Sequence, residues 1–265
     1  TRSMPSFINL SLILMMALSL SCIVNVFASE NNLTTLNLDE EIQIDNSNYE
    51  EYEKFGEVLA NSLKSAESAE YDGIIKRYCE SNTNPVFEDV LEVLTDNKDN
   101  NTVYLKSSEK FNDRYELVYD IGDNQQLVIT PSSIIVDTLT VSDDGLSRAT
   151  TKSKTGTSSK TYYSVIGNKI FSLTVECKFY YNGSKAWYKS GFDYYYTKGA
   201  ITLWQVSNWK GWKEKSGTSY KAYCSGNFHW GVEYDGNGLV IQDIYCKNTV
   251  TCSKSGTITK SATYK

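Results

Sequence analysis

The residues best suited to chemistry form one compact run, Trp204-Gln205-Val206-Ser207-Asn208-Trp209-Lys210-Gly211-Trp212-Lys213-Glu214-Lys215. Indole rings offer flat apolar faces, and ammonium groups beside them add charge. Such a run can stack on sugars, anchor at a bilayer interface or grip an anionic polymer. Trp204 reads as part of a strand, whereas Trp209 and Trp212 read as part of a Lys-rich, Gly-containing loop where burial is hard to arrange. The candidate ligand-binding residues are therefore Trp204, Trp209, Trp212, Lys210, Lys213 and Lys215. In the alternative reading the indoles fold back and cap one end of a β core.

Catalytic patterns are sparse. The chain has a single histidine, His229, and neither Gly-x-Ser-x-Gly, His-Glu-x-x-His nor a phosphate-cradling Gly loop occurs in it. A cysteine nucleophile can be written only as Cys79, His229 and Asp243, which nothing in the sequence brings together. Glu176, Glu214, Glu233 and Asp243 are the carboxylates available for glycoside hydrolysis, and each is more simply a polar-face residue. No catalytic residue is assigned, and the protein is expected to be non-catalytic. With one histidine and no Cys-x-x-Cys pair, neither a metal nor a cofactor is expected.

Five cysteines lie beyond the leader: Cys79, Cys177, Cys224, Cys246 and Cys252. The last four sit on apolar strand faces and are candidate disulfide cysteines. Cys246 and Cys252, in one continuous strand, are separated by roughly 20 Å, beyond the roughly 7 Å Cα limit for a bridge. Two connectivities remain: Cys177 with Cys246 and Cys224 with Cys252, or Cys177 with Cys252 and Cys224 with Cys246. Alternatively all four are small buried hydrophobes.

The elements that must position these residues follow from periodicity. In residues 169–183, Phe171, Leu173, Val175, Cys177, Phe179 and Tyr181 share one side of an extended backbone, and Ser172, Thr174, Glu176 and Lys178 the other. That is a half-buried strand, closed by Asn182-Gly183 as a two-residue hairpin turn. Residues 192–197, 201–206, 220–234 and 239–253 continue the alternation, with Gly226 and Gly231 marking a bulge or a strand that changes sheets. Upstream, Tyr49, Tyr52, Phe55, Val58, Leu59 and Leu63 recur at helical steps and predict a helix over 49–66. A second short helix includes Ile74, Ile75 and Tyr78, and a third follows Pro85. Strands are expected at 103–105, 115–121, 126–130 and 134–141.

The fold class is α+β: a small acidic helical or α+β N-terminal segment, then an antiparallel β-sandwich or partly closed barrel. Residues 7–28 are almost uninterruptedly apolar, Arg2 precedes them, and Val26-Phe27-Ala28 presents the small residues a signal peptidase needs. Residues 1–28 are therefore read as a signal peptide cut after Ala28, with an uncleaved span or lipidation at Cys22 as alternatives. The expected divisions are 29–145, an acidic α+β region whose lead over 30–46 is loosely ordered; 146–161, a Ser/Thr/Gly/Lys-rich linker or long loop; and 162–265, the β domain. One larger sandwich, with strands before the linker pairing with those after it, is the alternative.

Charge divides along the same line. Residues 29–145 carry 26 acidic against 8 basic side chains, a net of −18, whereas residues 146–265 carry 6 against 17, a net of +11. The overall −6 hides this opposition, which bears on partners and encounter rates rather than on fold.

A signal peptide, a variable middle, and a C-terminal block with Gly167-Asn168-Lys169-Ile170-Phe171, Phe179-Tyr180-Tyr181-Asn182-Gly183 and a terminal Ser-Gly-Thr resemble secreted β-rich proteins of Gram-positive bacteria whose function is uncharacterised. The resemblance implies export and a β fold, and no activity.

The expectation for function is a secreted, non-catalytic protein. Its basic aromatic β domain would bind a cell-wall glycan or an anionic envelope polymer, with peripheral membrane contact as a further partner and no nucleic acid. The alternative is a secreted toxin or membrane-active effector whose acidic N-terminal region masks the basic half.

Overall fold

The computed structural model describes residues 33–37, 46–86, 102–106, 115–131, 133–143, 151–199, 205–233 and 239–264. The expected signal peptide, the third helix and Trp204 lie outside these residues.

Among the described residues the fold is mostly β, an α+β arrangement with two sheets face to face and two α-helices near the N-terminus. Strands β3 (Leu117–Gly122), β4 (Gln125–Ile129), β5 (Ser133–Asp143), β6 (Lys152–Ser164), β7 (Lys169–Tyr181) and β8 (Ala186–Lys198) form one sheet in that order, each antiparallel to the next. The second sheet runs β1 (Leu33–Asn37), β2 (Thr102–Lys106), β11 (Leu239–Cys252), β10 (Ser219–Glu233), β9 (Gln205–Ser216), with β12 (Ile258–Tyr264) also on β11. Strand β11 is long enough to take β2 along Leu239–Gln242 and β12 along Cys246–Cys252. Two pairings, β1 with β2 and β2 with β11, are parallel. Residues 33–37, expected to be loosely ordered, thus belong to a strand.

Helices α1 (Asn46–Lys64) and α2 (Tyr71–Ser81) form where the three- and four-residue spacing predicts them. Tyr52, Phe55, Leu59, Leu63, Tyr71 and Ile75 are buried against Leu117, Leu127, Ile129, Ile134 and Val136 of the first sheet. The Tyr163 hydroxyl donates to Asp72 at 2.6 Å, and Lys169 pairs with the same carboxylate at 3.2 Å, fastening α2 to that sheet. The opposite face of the sheet carries Ile135, Leu139, Tyr162, Phe171, Leu173, Val175 and Phe179, which meet Ala222, Cys224, Phe228, Cys246, Val250 and Cys252 of the second sheet. The first sheet is therefore the middle of three layers, with the second sheet over one face and the helices over the β3–β5 part of the other.

The expected boundary at 146–161 does not separate two sheets. Residues 152–161 belong to β6, which is bonded to β5 on one side and β7 on the other. Apolar periodicity is missing because the inward positions are Gly156, Ser158 and Lys160, small or polar. Gly156 lies so close to the second sheet that an added Cβ would meet Ile258 at 2.7 Å and Val250 at 2.8 Å. Ser158 Oγ donates to Asn248 Oδ1 at 2.8 Å, and Asn248 Nδ2 returns a bond to the Ser158 carbonyl at 2.8 Å. Lys160, only 2% exposed, pairs with Asp137 at 3.4 Å, and Lys260 pairs with the same carboxylate at 3.2 Å.

The turn after β7 is also longer than predicted. Tyr181 pairs with Ala186, leaving a four-residue loop in which Asn182 Oδ1 accepts from the backbone N–H groups of Ser184 and Lys185. Two-residue hairpin turns occur instead at Asp123-Asn124, both at positive φ, 50° and 59°, and at Gly217-Thr218.

One carboxylate serving two buried ammonium groups gives a direct test. Asp137→Ala leaves both lysines without it, and removing one partner of a buried ion pair costs about 3–5 kcal/mol. Lys160→Met keeps Asp137 paired to Lys260 and is expected to cost less than half as much. Urea unfolding midpoints at neutral pH order the two variants; equal losses would contradict the arrangement.

Candidate functional site: an aromatic and basic face of the second sheet

Strand β9, not a loop, carries the Trp/Lys run. It pairs with β10 alone among the described strands and so lies at a sheet edge, where lysines are common because charge discourages unwanted strand addition. A strand alternates its faces, so Trp209 and Trp212, three residues apart, part company. Trp209 is half-buried and turns inward. Its ring lies 5.1 Å from Tyr196, 5.8 Å from Tyr194 and 6.2 Å from Phe228. This is the capping role of the alternative reading.

Trp212 faces outward. It stacks on its cross-strand partner Tyr223 with centroids 4.7 Å apart and planes 11° from parallel. Lys247 Nζ stands 5.2 Å from the Trp212 centroid and 4.5 Å from that of Tyr223, and Lys210 Nζ stands 5.6 Å from Trp212. Glu214 accepts a 2.6 Å hydrogen bond from the Tyr223 hydroxyl. Burial first, then the Glu214 hydrogen bond and charge, push the Tyr223 hydroxyl pKa up, so this ring stays neutral. The assembly is a face-to-face ring stack flanked by ammonium groups, in which Tyr223 is buried and the half-buried Trp212 is the ring that reaches solvent.

The other named residues scatter. Lys213 turns into the mouth between the sheets, 4.6 Å from both the Tyr188 and Phe192 centroids. Lys215 is exposed near the end of the strand. Sequence reasoning missed Tyr223 and Lys247, although a tyrosine at a polar-face position between Lys221 and Ser225 was the available signal. It also missed a second ring stack on the outer face of the first sheet, where the cross-strand partners Tyr180 and Trp187 stack at 6.2 Å with Lys185 Nζ 5.8 Å from the indole.

His229 shares the outward face of β10 with Tyr223. Its Nε2 lies 2.8 Å from Ser207 Oγ on β9, and register sets it opposite Asp243 of β11. Cys79 is elsewhere, buried between α2 and the far side of the first sheet, so Cys79, His229 and Asp243 do not assemble. Of the carboxylates, Glu214 holds Tyr223, and Glu176 accepts a bond from Thr157. Among the described residues no group of His, Cys, Asp and Glu could hold a metal ion, and no helix is long and apolar enough to cross a membrane.

The candidate disulfides are not formed: Cys79, Cys177, Cys224, Cys246 and Cys252 are all free and buried. Cys177, Cys224, Cys246 and Cys252 fill space between the sheets as small apolar side chains. Cys224 is opposite Asn248 and Cys246 opposite Gly226, so these two sit diagonally rather than face to face.

No protein-family model, no curated protein and no solved structure matches the chain.

Burial pushes the thiols of Cys79, Cys177, Cys224 and Cys246 up from 9.0 to about 12, and that of Cys252 to about 11. A thiol held neutral by folding contributes stability that is complete below its unfolded pKa and is lost as pH rises through the folded one. Stability should therefore fall steadily above about pH 9. Denaturant midpoints measured from pH 7 to 11 check this. Iodoacetamide at pH 8 should leave the native thiols unmodified and alkylate all five once the chain unfolds.

Proposed function

We propose that this chain is a secreted binding protein that engages an anionic glycan polymer of the cell envelope through the outer face of its second sheet. The Trp212–Tyr223 stack beneath Lys210 and Lys247 carries the reading. An indole held in place by stacking on a buried tyrosine gives a sugar ring a preformed surface, at little ordering cost on binding. Ammonium groups next to the rings recognise carboxylate or phosphate substituents. The net charge of +11 over residues 146–265 supplies long-range attraction that salt screens. Tyr180, Trp187 and Lys185 repeat the motif on the other sheet, which suits a polymer offering many equivalent sites. Export is supported by the apolar leader over residues 7–28.

The alternative of a toxin or membrane-active effector with a detachable acidic mask finds less support. Helices α1 and α2 bury Tyr52, Leu59, Leu63 and Ile75 in an apolar core shared with the first sheet, and detachment would expose it.

The full chain should be retained on purified cell wall at low ionic strength and released as salt is raised. Trp212→Ala combined with Lys210→Gln and Lys247→Gln should weaken retention at least tenfold, about 1.4 kcal/mol, while Trp209→Ala mainly lowers stability. Retention unchanged in the triple variant, or none by the parent chain at low salt, removes the proposal.

A further inference from the structure

The outer face of the second sheet is laid out in rows that cross three strands. Inward Cys224 and Phe228 fix the alternation of β10, so Tyr223, Ser225 and Asn227 face outward in succession. The first row holds the Trp212–Tyr223 stack. In the next, Ser225 has Lys210 as its register partner on β9 and Lys247 on β11. Successive rows of one face lie about 7 Å apart, two residues along a strand.

Ser225 is the unusual member. It is 0% exposed, and among the described residues its Oγ has no hydrogen-bond partner. Buried hydroxyls are nearly always bonded, because an unmade bond forfeits hydration with nothing in exchange. Here the unused hydroxyl lies between two lysines. Their ammonium groups already converge on this part of the face, Lys210 Nζ 5.6 Å from the Trp212 centroid and Lys247 Nζ 4.5 Å from that of Tyr223. Each is carried on a flexible four-carbon stem that can turn from ring to ligand. Glu214, which accepts from the Tyr223 hydroxyl, lies on the other side of the rings and opposite Lys221. Beyond Ser225 a third row holds Ser207 and Asn227, both half-buried, with Ser207 Oγ 2.8 Å from His229 Nε2. These neutral groups suit sugar hydroxyls.

We propose that Lys210, Ser225 and Lys247 form a subsite for a phosphoryl group, so that the polymer taken by this face is one of sugar units joined by phosphodiesters. The inference rests on the binding reading and narrows it. One sugar ring lies on Trp212, the phosphoryl group sits at Ser225, and the following unit meets Ser207 and Asn227. Donors reach the subsite from two sides and from the sheet beneath. A tetrahedral phosphoryl group offers oxygens in several directions, whereas a carboxylate holds both of its oxygens in one plane, which a single planar fork serves best. Lysine binds phosphate as a point charge, without the fixed fork of arginine.

Calorimetric titration of the folded full chain compares poly(mannosyl phosphate) with polygalacturonate, both hexose polymers, the second carrying carboxylates. The parent chain should bind the phosphodiester polymer at least tenfold more tightly per charge at equal ionic strength. Ser225→Ala should weaken that binding at least fivefold, the loss of a hydrogen bond to a charged group, and leave polygalacturonate binding unchanged. It should not lower the urea midpoint, since the hydroxyl has no bond to lose. Trp212→Ala should weaken both polymers alike. Inorganic phosphate at the same phosphate concentration should compete little, because the ion has no ring to stack. Equal affinity for the two polymers, or a Ser225→Ala variant that binds poly(mannosyl phosphate) like the parent chain, overturns the inference while retention on cell wall stands. So does a lowered midpoint in Ser225→Ala, or displacement of the polymer by inorganic phosphate, which marks a bare-ion site. Tight binding of poly(mannosyl phosphate) without retention on cell wall removes the envelope assignment alone.

Discussion

Closing two sheets over a central strand requires every inward position of that strand to be small, apolar or fully paired. Strand β6 meets the requirement in an uncommon way, offering the inter-sheet space Gly156, Ser158, Lys160 and Tyr162 in turn. Burying an ammonium group costs several kcal/mol unless a counter-charge and hydrogen bonds offset it. Here Asp137, from the adjacent strand β5, faces Lys160 and Lys260 together, while Lys260 also donates to the Asp137 carbonyl at 2.7 Å. Ser158 and Asn248 satisfy each other across the gap. Beyond them Tyr162, Phe171 and Phe228 stack with centroids 4.3 and 4.0 Å apart, so one end of the interface is polar and pinned and the other aromatic and close-packed. The polar end sets which residues can face each other, because any other sheet register would leave a buried charge alone.

The same constraint explains which elements were legible in the sequence. Strand β7 was clear because its inward side is Phe171, Leu173, Val175, Cys177, Phe179 and Tyr181, all apolar and all buried. Strand β10 and the helices were clear for the same reason. Strand β6 was not, because a rule that looks for alternating apolar residues cannot see an inward face made of glycine, serine and lysine. Its Ser/Thr-rich outer side, with Ser159 bonded to Thr174, looked equally like a linker. The domain boundary placed there was a consequence of that blindness, and pairing of β5 with β6 removes its basis. Strands β1 and β12 escaped because short strands at an edge need little apolar alternation, whereas β2 was expected at 103–105.

For the candidate site, residue types were informative and positions were not. Tryptophan beside lysine suggested an aromatic, basic surface, and the strand's alternation divides the run, with Trp212 and Lys210 on the outer face and Trp209 turned inward. The other half of the outer surface is not local: Tyr223 and Lys247 come from strands β10 and β11, and only register brings them over β9. Likewise His229 and Asp243 are neighbours by register, but the hydroxyl facing His229 belongs to Ser207 rather than the sulfur of Cys79. Cysteine burial followed from apolar strand faces, whereas bonding between cysteines depended on approach distances that no periodicity encodes.

The bulge at Asn208 does more than break a ladder. In an unbroken strand, residues separated by an odd number point to opposite faces, so Ser207 would face away from Lys210. Seating Asn208 and Trp209 together against Gly226 shifts the phase by one residue. Val206 and Trp209 then both reach the inter-sheet core, while Ser207, Lys210 and Trp212 share the outer face. Gly226 helps make this feasible, since the Trp209 ring lies 3.0 Å from where its Cβ would stand. A side chain at Gly226 would press on Trp209 and strain the bulge. The inward anchoring of one tryptophan and the alignment of Ser207 with the Trp212–Tyr223 stack therefore depend on the same three residues.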